Sequence, residues 1–312
     1  MEYRPLGKTG LRVSSIGMGC VTFGREIDRD TSFRVLDHAL ELGLTLFDTA
    51  EAYASGASEA VLGEWISKRK VREQIVLATK VRGTLTRERV TRSAEESLER
   101  LRTDHIDLFQ LHSWDDETPL EETLEGLDRL VRQGKIRHVG CSNWMAWQLC
   151  KSLLLSRDNG IVRMQSVQPP YNLVQREIER DMLPLCADQH IGVLSYSPLA
   201  AGFLTGKYRR GGEVPKGTRF DVIPGHQRIY FTDHGFATLE GLEAVSRESG
   251  RSMIQLSLTW ALGRPGITSV LVGARSTDQV DQAFVAERDG LDSELRRRLD
   301  EISSSTDLHP QT

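Results

Sequence analysis

The sequence predicts an α/β fold, a single closed (β/α)8 barrel spanning residues 1–312, and three observations lead to this prediction. Segments of helical periodicity alternate with short apolar runs. The runs are apolar nearly throughout, as is typical of parallel strands covered on both faces. Eight such runs recur, at 13–19, 44–47, 75–79, 106–111, 138–141, 164–167, 191–195 and 268–272. Eight repeats favour a closed barrel, because an open dinucleotide-binding sheet usually has fewer strands and a G-x-G-x-x-G turn after the first.

Two features are expected beyond a minimal barrel. Residues 3–13 are predicted to form a small β-hairpin, with its turn at 8–10, ahead of the first barrel strand. The stretch from about 200 to 235 is rich in glycine and basic residues. Because long irregular loops in compact domains are usually functional, we interpret this stretch as a lid over the active face. Additional helices are expected after the last strand, where residues 293–301 carry a solvated, charged helix face.

Local signals predict where several helices begin and end. Thr118 is predicted as an N-cap, with Pro119 as the first helical residue and Glu121 as the third. Gly134 stands where a left-handed residue would end this helix. Thr86 is predicted to cap the preceding helix. Both helices then lead into the next apolar run, as the alternating fold requires.

Composition favours a small-molecule partner. The formal net charge of −4 provides no broad positive field for nucleic acid or an anionic membrane. The four cysteines are scattered without the spacing of a zinc site or a disulfide scaffold, which fits a reducing compartment. No signal-peptide h-region and no run of about 18 apolar residues is present, so we expect a cytoplasmic protein.

Polar residues follow the apolar runs at the point where each run ends. In a barrel of this kind the active site is built at the carboxyl ends of the strands. Taken singly, such residues are usually helix caps, snorkelling lysines or buried core histidines. Their convergence at one rim indicates a shared site. The residues concerned are Asp48, Lys80, His112, Ser142, Asn143, Gln168, Tyr196 and Arg275.

The chemistry of four residues indicates proton transfer to an oxygen. Tyr53 lies in the loop after Asp48, and a phenol has an ordinary pKa of about 10, which we expect the Lys80 ammonium to lower. Asp48 would keep Lys80 charged, while neutral His112 could donate a hydrogen bond to a carbonyl. The sequence has no HExxH metal motif and no GxSxG elbow. When the carbonyl oxygen receives a proton, the carbonyl carbon needs a hydride, which side chains cannot supply. A nicotinamide cofactor is therefore implied.

The motifs resemble the aldo-keto reductase superfamily, in order, over nearly the whole chain. The matching runs are LGKTGLRVSSIGMGCVTFG, FDTAEAYASGASEAVLG, IVLATK, IDLFQLHSWD, VGCSNW, SVQPPYN, SYSPLAAGFLTGKY and VLVGARSTDQV. They are most similar to the bacterial branch that includes glyceraldehyde-phosphate and sugar-aldehyde reductases and the potassium-channel β subunits. The resemblance implies an NADP(H)-dependent oxidoreductase whose catalytic tetrad is Asp48, Tyr53, Lys80 and His112, with Tyr53 as the general acid.

The same resemblance implies a cofactor site. Tyr196 would stack on the nicotinamide, and Ser142, Asn143 and Gln168 would hydrogen-bond its carboxamide. Arg275 would receive the 2′-phosphate, which favours NADPH over NADH. The rest of the implied cofactor set is Gly19, Cys20, Val21, Asp48, Ser197, Pro198, Leu199, Gly202, Lys207, Arg219, Gly273, Gln279 and Gln282.

Some positions depart from the family pattern. Gln282 and Ala283 stand where members often have Glu-Asn, and Gln279 stands where a basic residue is common. Residues 214–230 match only at 217–219. Adenine contacts, substrate contacts in this stretch and the strictness of NADP over NAD are therefore left open.

Three aromatic residues, Phe23, Trp114 and Trp144, and the loop from Ala200 onward are expected to shape the substrate pocket together with Tyr53 and His112. Such walls suit aldehydes, aryl ketones and sugar rings alike. The substrate, the direction of reaction and the oligomeric state stay open.

Two other function classes compete with the reductase. A regulatory NADPH-binding subunit with little turnover would share the barrel, but the channel subunits carry an amide where this chain has His112, and an extension preceding the hairpin is not expected here. A cofactor-free lyase or isomerase would form a Schiff base on Lys80. The Asp48 carboxylate disfavours it, because a negative neighbour raises the pKa of a lysine.

Overall fold

The computed structural model describes residues 1–304, and its central element is a closed barrel of parallel strands. The strands are β1 (Tyr3–Pro5), β2 (Arg12–Ser14), β3 (Ile16–Gly19), β4 (Leu46–Asp48), β5 (Val76–Val81), β6 (Ile106–Leu111), β7 (Ile136–Ser142), β8 (Met164–Gln168), β9 (Gly192–Ser195) and β10 (Ser269–Gly273). Around the barrel the order is β3 to β10 in sequence, and β10 closes the ring by pairing with β3. The predicted (β/α)8 fold is confirmed.

Helices follow the barrel strands and cover the outside of the ring. They are α1 (Arg29–Glu41), α2 (Ala57–Arg69), α3 (Arg87–Leu101), α4 (Leu120–Arg132), α5 (Ala146–Asn159), α6 (Met182–Gln189), α7 (Arg219–Val222), α8 (Gln227–Tyr230), α9 (Asp233–Ser249), α10 (Met253–Leu262), α11 (Thr277–Asp289) and α12 (Ser293–Ile302). The helices that follow the barrel strands pack their apolar stripes on the outer face of the strands, which explains why the strands are apolar on both sides. The short helices α7 and α8 lie in the segment after β9 instead, and α12 packs on α9.

The inside of the barrel is a second, separate apolar cluster. Its strand residues are Leu46, Val76, Ala78, Leu108, Leu194 and Leu271. The predicted hairpin is confirmed, with Tyr3 opposite Ser14 and Pro5 opposite Arg12. Leu6 and Val13 of the hairpin segment are fully buried and join the same cluster. A Cβ on Gly192, the first residue of β9, would lie only 2.6 Å from Leu6 Cδ1, so the hairpin closes the amino-terminal end of the barrel.

The predicted end of α4 is confirmed. Gly134 has a left-handed φ of 72°. The Gly134 amide donates to the Val131 carbonyl at 2.9 Å, and the Lys135 amide donates to the Leu130 carbonyl at 3.1 Å, which is the Schellman pattern. The Thr86 cap is also confirmed, because its side chain accepts a hydrogen bond from the Arg89 amide.

The predicted start of α4 is wrong by one residue. Pro119, not Thr118, is the N-cap, and its ψ of 126° is extended, so helical geometry begins at Leu120. Glu122 rather than Glu121 is then the third helical residue. The Pro119 carbonyl accepts from the Glu122 amide at 3.0 Å and from the Thr123 amide at 3.4 Å, so the helical hydrogen bonds begin at Pro119 and leave Thr118 outside the helix.

The stretch after β9 is more ordered than expected. Short helical turns occupy it, and α9 already begins at Asp233, so the irregular part ends before Gly235. The aromatic rings of this stretch and of α9 pack together, with neighbouring centroids 4.9 to 6.2 Å apart. These rings belong to Phe203, Tyr208, Phe220, Tyr230, Phe231 and Phe236. Residues 200–232, which we call the capping segment, therefore rest on an aromatic core.

Over residues 1–304, no helix combines the length and the apolar character that crossing a bilayer demands.

We expect Leu6→Ala to lower the free energy of unfolding by about 2–5 kcal/mol, because it empties the floor of a close-packed barrel. Urea denaturation measures this change. Leu154→Ala, at a position that is 46% exposed, is the matched control and should change stability by only about 0.5 kcal/mol. Equal effects of the two substitutions would contradict the role of Leu6 as a floor.

Candidate active site

The strand-end residues surround one cavity of about 660 Å³. Strand pairing aligns them, since Gly19 is opposite Asp48 and Ser142 is opposite Gln168. Parallel strands place their carboxyl ends at the same rim, so side chains far apart in sequence meet there. The predicted residues that line the cavity near this rim are Gly19, Val21, Asp48, Tyr53, His112, Ser142, Asn143, Gln168 and Tyr196.

A buried ion pair lies beneath the cavity. The Lys80 ammonium donates to Asp48 Oδ2 and, at 2.8 Å, to the Thr49 carbonyl. Both charged side chains are almost completely buried. Burial alone would lower the pKa of Lys80, but the Asp48 carboxylate and Tyr53 outweigh it, and the pKa is raised. Lys80 therefore stays an ammonium, which opposes the Schiff-base alternative, because imine formation needs the free amine.

The second oxygen of Asp48 is held by two amides. Asp48 Oδ1 accepts hydrogen bonds from Gln110 Nε2 at 3.0 Å and from Gln168 Nε2 at 2.9 Å. Sequence reasoning missed Gln110, because a single glutamine inside the apolar run of β6 gives no signal of function. Gln168 was expected to contact only a cofactor, and the structure adds this link to Asp48.

Tyr53 is fixed next to the ion pair. Its hydroxyl oxygen lies 3.3 Å from Lys80 Nζ, and the same ammonium lies 4.9 Å from the centroid of the phenol ring. The loop that carries Tyr53 is anchored through Glu51, whose carboxylate accepts from the Arg82 amide at 2.8 Å and from Ser93 Oγ at 2.5 Å. The phenol is thus held by β5 and α3 as well as by its own loop.

The expected lowering of the Tyr53 pKa is wrong in direction. Burial raises the pKa of Tyr53, and although the Lys80 ammonium lowers it, the Asp48 carboxylate acts in the opposite sense and the net shift is upward. The sequence could not give this balance, because it depends on how deeply the packed ring is removed from water. Tyr53 is therefore a neutral phenol at physiological pH and is poised to donate a proton.

His112 completes the group of four. Its ring meets the Tyr53 ring edge-on, with centroids 5.8 Å apart. Burial lowers the pKa of His112 to about 4, and the positive charges of Lys80 and Arg82 add to this effect. The imidazole is therefore neutral over the physiological range, as predicted from the sequence, and can donate one hydrogen bond without carrying charge.

Hydrogen bonds among neighbouring strand ends fix the next part of the rim. The Tyr196 hydroxyl donates to Asn143 Oδ1 at 2.8 Å, and Asn143 Nδ2 donates to the His112 carbonyl at 2.9 Å. Ser142 Oγ donates to the Gln168 carbonyl at 2.7 Å. Asn143 adopts a left-handed φ of 58°, which asparagine tolerates better than most residues. The aromatic face of Tyr196 is thereby held at the cavity wall.

The far end of the cavity is basic. Lys207, Arg219 and Arg275 line it. Burial lowers the pKa of Lys207, and the charge of Arg275 lowers it further, so the positive charges are close enough to repel one another. Gly202, with a φ of 90°, leaves room for Lys207, since a Cβ there would lie 3.1 Å from Lys207 Nζ. Such a concentration of positive charge suits a phosphate group.

One acidic side chain partly balances this charge. Glu26 Oε1 lies 3.5 Å from Arg219 Nη1 and 4.0 Å from Arg275 Nη2. Arg275 lies just before α11. Its backbone amide donates a hydrogen bond to Gln279 Oε1 at 2.8 Å, which fixes the turn there. Glu26 was missed because it lies in an irregular loop after β3, where no pattern marks it.

The remaining predicted cofactor residues also line the cavity, apart from one. Those that line it are Ser197, Pro198, Leu199, Gly202, Gly273, Gln279 and Gln282. Cys20 is fully buried, and its backbone amide donates to the Asp48 carbonyl at 2.8 Å. Its backbone therefore supports the rim without its side chain reaching the cavity.

Three aromatic residues expected at the substrate pocket are not part of this cavity wall. Phe23 is fully buried in the core. Trp114 packs edge-on against Trp144 and Trp147, with centroids 4.9 and 5.6 Å apart. The stretch after Ala200, which was also expected to shape the pocket, does line the cavity as part of the capping segment. Its lining residues are Thr205, Lys216, Gly217, Thr218, Arg219, His226, Ile229 and Tyr230.

The chain is similar to one family of proteins and to several individual proteins. The model of the Aldo/keto reductase family matches residues 15–304. "Uncharacterized oxidoreductase YrpG" of Bacillus subtilis (strain 168) is 34% identical, over 97% of this chain and 96% of its own. "Aldo-keto reductase YhdN" of the same strain is 33% identical, over 99% and 96%. A "Probable voltage-gated potassium channel subunit beta" of Arabidopsis thaliana is 32% identical, over 92% and 91%.

The lowered pKa of His112 predicts how stability depends on pH. Unfolded histidine titrates near pH 6.5, whereas folded His112 titrates near pH 4. The unfolded chain therefore binds more protons between these values, and the stability held by neutral His112 is complete above about pH 6.5 and is lost as pH falls toward 4. We expect His112→Gln to flatten the fall in unfolding free energy over this range, measured by urea denaturation.

His190→Gln, at an exposed position, is the matched control for this experiment. It should leave the slope of the wild-type protein unchanged. Identical slopes in all three proteins would mean that His112 is not held neutral by the fold.

Proposed function

The chain belongs to the aldo/keto reductase family, and we propose that it is an NADP(H)-dependent reductase of aldehydes or ketones that uses Tyr53 as its general acid. The family implies oxidoreductase activity on carbonyl compounds, and its members generally use NAD(P)H. One observation carries the finer proposal. The Tyr53 hydroxyl lies 3.3 Å from the buried Lys80 ammonium, beside neutral His112 at the cavity.

The cavity offers groups of the right chemistry for a nicotinamide dinucleotide. Lys207, Arg219 and Arg275 would hold its phosphates at the basic end, and the Tyr196 ring would lie against the nicotinamide. Strand-end amides would bind the carboxamide. When bound, the cofactor supplies the hydride that reduces the carbonyl carbon.

The protein's part in the reaction is to supply and stabilise a proton. Tyr53 is neutral and donates its proton to the substrate oxygen as that oxygen gains negative charge. A developing alkoxide is a much stronger base than a phenolate, so the raised pKa of Tyr53 does not prevent the transfer. The Lys80 ammonium stabilises the phenolate that forms, and His112 orients the carbonyl with a neutral hydrogen bond.

The capping segment supports a carbonyl substrate of modest size. Ile229 and Tyr230 contribute apolar surface on the same cavity that contains Tyr53 and His112. Aldehydes, ketones and sugar-like carbonyl compounds all fit an apolar wall opposite a polar pair. We propose these as the substrate class.

A second candidate function is regulatory binding of NADPH with little turnover. The observation that favours it is the similarity to two proteins named potassium channel β subunits, from Arabidopsis thaliana and Oryza sativa subsp. japonica, each 32% identical. The contacts among Asp48, Tyr53, Lys80 and His112 favour the enzyme, since binding alone does not need a buried proton donor beside an ammonium. Carbonyl-dependent oxidation of NADPH by the wild-type protein separates the two functions.

We expect Tyr53→Phe to lower kcat for carbonyl reduction by at least about 100-fold, because it removes the proton donor and little else. The dissociation constant for NADPH, measured by fluorescence titration, should stay within about twofold of the wild-type value, since a ring of the same shape remains. Tyr3→Phe removes a hydroxyl remote from the cavity and should turn over normally. Full turnover in Tyr53→Phe would refute the proposed acid.

We expect Arg275→Ala to weaken NADPH binding about tenfold or more while changing NADH binding little, because only NADPH has a 2′-phosphate for the guanidinium. Isothermal titration with both cofactors measures the two changes. Arg288→Ala, on the outer part of α11, is the matched control. Equal losses for NADPH and NADH would show that Arg275 does not contact the 2′-phosphate.

A further inference from the structure

We propose that Gln110 is a positioning residue of the reaction, which fixes the Asp48 carboxylate and the Gln168 amide together. This inference rests on the proposed reductase function. Gln110 is fully buried beneath the cavity and does not line it, so it acts through its neighbours rather than on the substrate. The inference depends on three hydrogen bonds among Gln110, Asp48 and Gln168.

Strand register places Gln110 at the ion pair. On β6 it lies opposite Lys80 of β5 and opposite Gly140 of β7. Its Nε2 donates to Asp48 Oδ1 at 3.0 Å. The orientation of the amide is determined by chemistry, because an ionised carboxylate only accepts hydrogen bonds. Gln110 Nε2 must therefore face Asp48, and Gln110 Oε1 is left as an acceptor.

Gln168 uses that acceptor. Its Nε2 donates to Asp48 Oδ1 at 2.9 Å and to Gln110 Oε1 at 3.2 Å, so the two N–H groups of its amide are both engaged. Gln168 also lines the cavity, and its Oε1 is the amide atom left for a ligand. A side-chain carbonyl in that position can accept from the NH2 of a carboxamide. Asp48 and Gln110 together therefore fix which end of the Gln168 amide faces the cavity.

Gly140 of β7 lies opposite Gln110 and has no side chain to crowd it. A Cβ on Gly140 would lie 3.3 Å from Gln110 Cγ and 2.2 Å from Ser166 Oγ. A side chain at this position would therefore displace Gln110 or Ser166. The main clash would be with Ser166, and the missing Cβ also spares Gln110 a tight contact.

The two carboxylate oxygens of Asp48 therefore have different hydrogen-bond partners. Oδ2 accepts from Lys80, and Oδ1 accepts from the two amides. Two amide donors fix the plane of the carboxylate, which in turn keeps the Lys80 ammonium 3.3 Å from the Tyr53 hydroxyl. Loss of Gln110 would leave Oδ1 with one donor and would leave the Gln168 amide held by one hydrogen bond instead of two. Proton transfer and carboxamide binding would then both be disturbed.

The test uses two substitutions at one position. Gln110→Leu has similar volume and no hydrogen bonds, and we expect it to lower kcat about tenfold at every pH. Gln110→Glu has the shape of glutamine, and when protonated it can donate to Asp48 as the amide does. The charged and titratable groups around this position are Asp48 and Lys80, with Tyr53 and His112 at the mouth. Burial and repulsion by Asp48 raise the pKa of a carboxyl placed there and oppose the lowering effect of the Lys80 ammonium, which brings its titration into the measurable range.

Gln110→Glu should therefore behave like the wild-type protein at acidic pH and lose kcat as pH rises, with an inflection that the wild-type profile lacks. The dissociation constant for NADPH, measured by fluorescence titration without substrate, should rise over the same pH range, because repulsion between the introduced carboxylate and Asp48 separates the two acceptors that hold the Gln168 amide. Ser166→Ala removes a neighbouring polar atom that has no hydrogen-bond partner within residues 1–304, and it should match the wild-type protein in both measurements. Near-ultraviolet circular dichroism identifies any variant that has not folded.

Three outcomes would overturn the inference. They are wild-type kcat in Gln110→Leu, equal and pH-independent losses in Gln110→Leu and folded Gln110→Glu, and NADPH affinity in Gln110→Glu that does not follow kcat. If Gln110→Leu does not fold, the pH profiles of Gln110→Glu decide the question. Failure of the reductase function itself is distinguished by the wild-type protein, which would then not oxidise NADPH with any carbonyl substrate.

Discussion

The buried ion pair between Lys80 and Asp48 is the interaction on which the rest of the site depends. Removing two charges from water is costly, and the attraction between them offsets that cost only when their remaining hydrogen-bonding groups are also satisfied. The structure meets this condition with the Thr49 carbonyl on one side and the amides of Gln110 and Gln168 on the other. An ammonium held so firmly gives Tyr53 a fixed positive neighbour.

The barrel makes this arrangement possible because it joins residues that are far apart in the chain. Asp48 and Gln168 are 120 residues apart, yet they share a hydrogen bond because both close parallel strands at one rim. Flexible loops would have to order themselves to build the same group, whereas strand ends are already fixed by the hydrogen bonds of the sheet. The cavity wall is also fixed by packing, because the aromatic rings of the capping segment, residues 200–232, pack against one another.

The sequence predicted what depends on local pattern. Apolar runs of regular spacing predicted the barrel, and the polar residues after them predicted Asp48, Lys80 and His112 at one mouth. The features that the sequence did not predict depend on packing between segments that are far apart in the chain. In the sequence, Gln110 is a single polar residue within a buried strand, and only the structure shows its hydrogen-bond partners. The pKa of Tyr53 follows from the depth of burial, which only the folded chain defines.

The hairpin floor formed by Leu6 and Val13 affects how the site exchanges protons with its surroundings. Apolar side chains fill the barrel below Lys80, so water reaches the Tyr53 phenol from the open mouth. In the proposed reaction, an alcohol product over Tyr53 would block that same passage. The phenolate would then regain its proton only when the product leaves, so that resetting of the acid would be coupled to product departure.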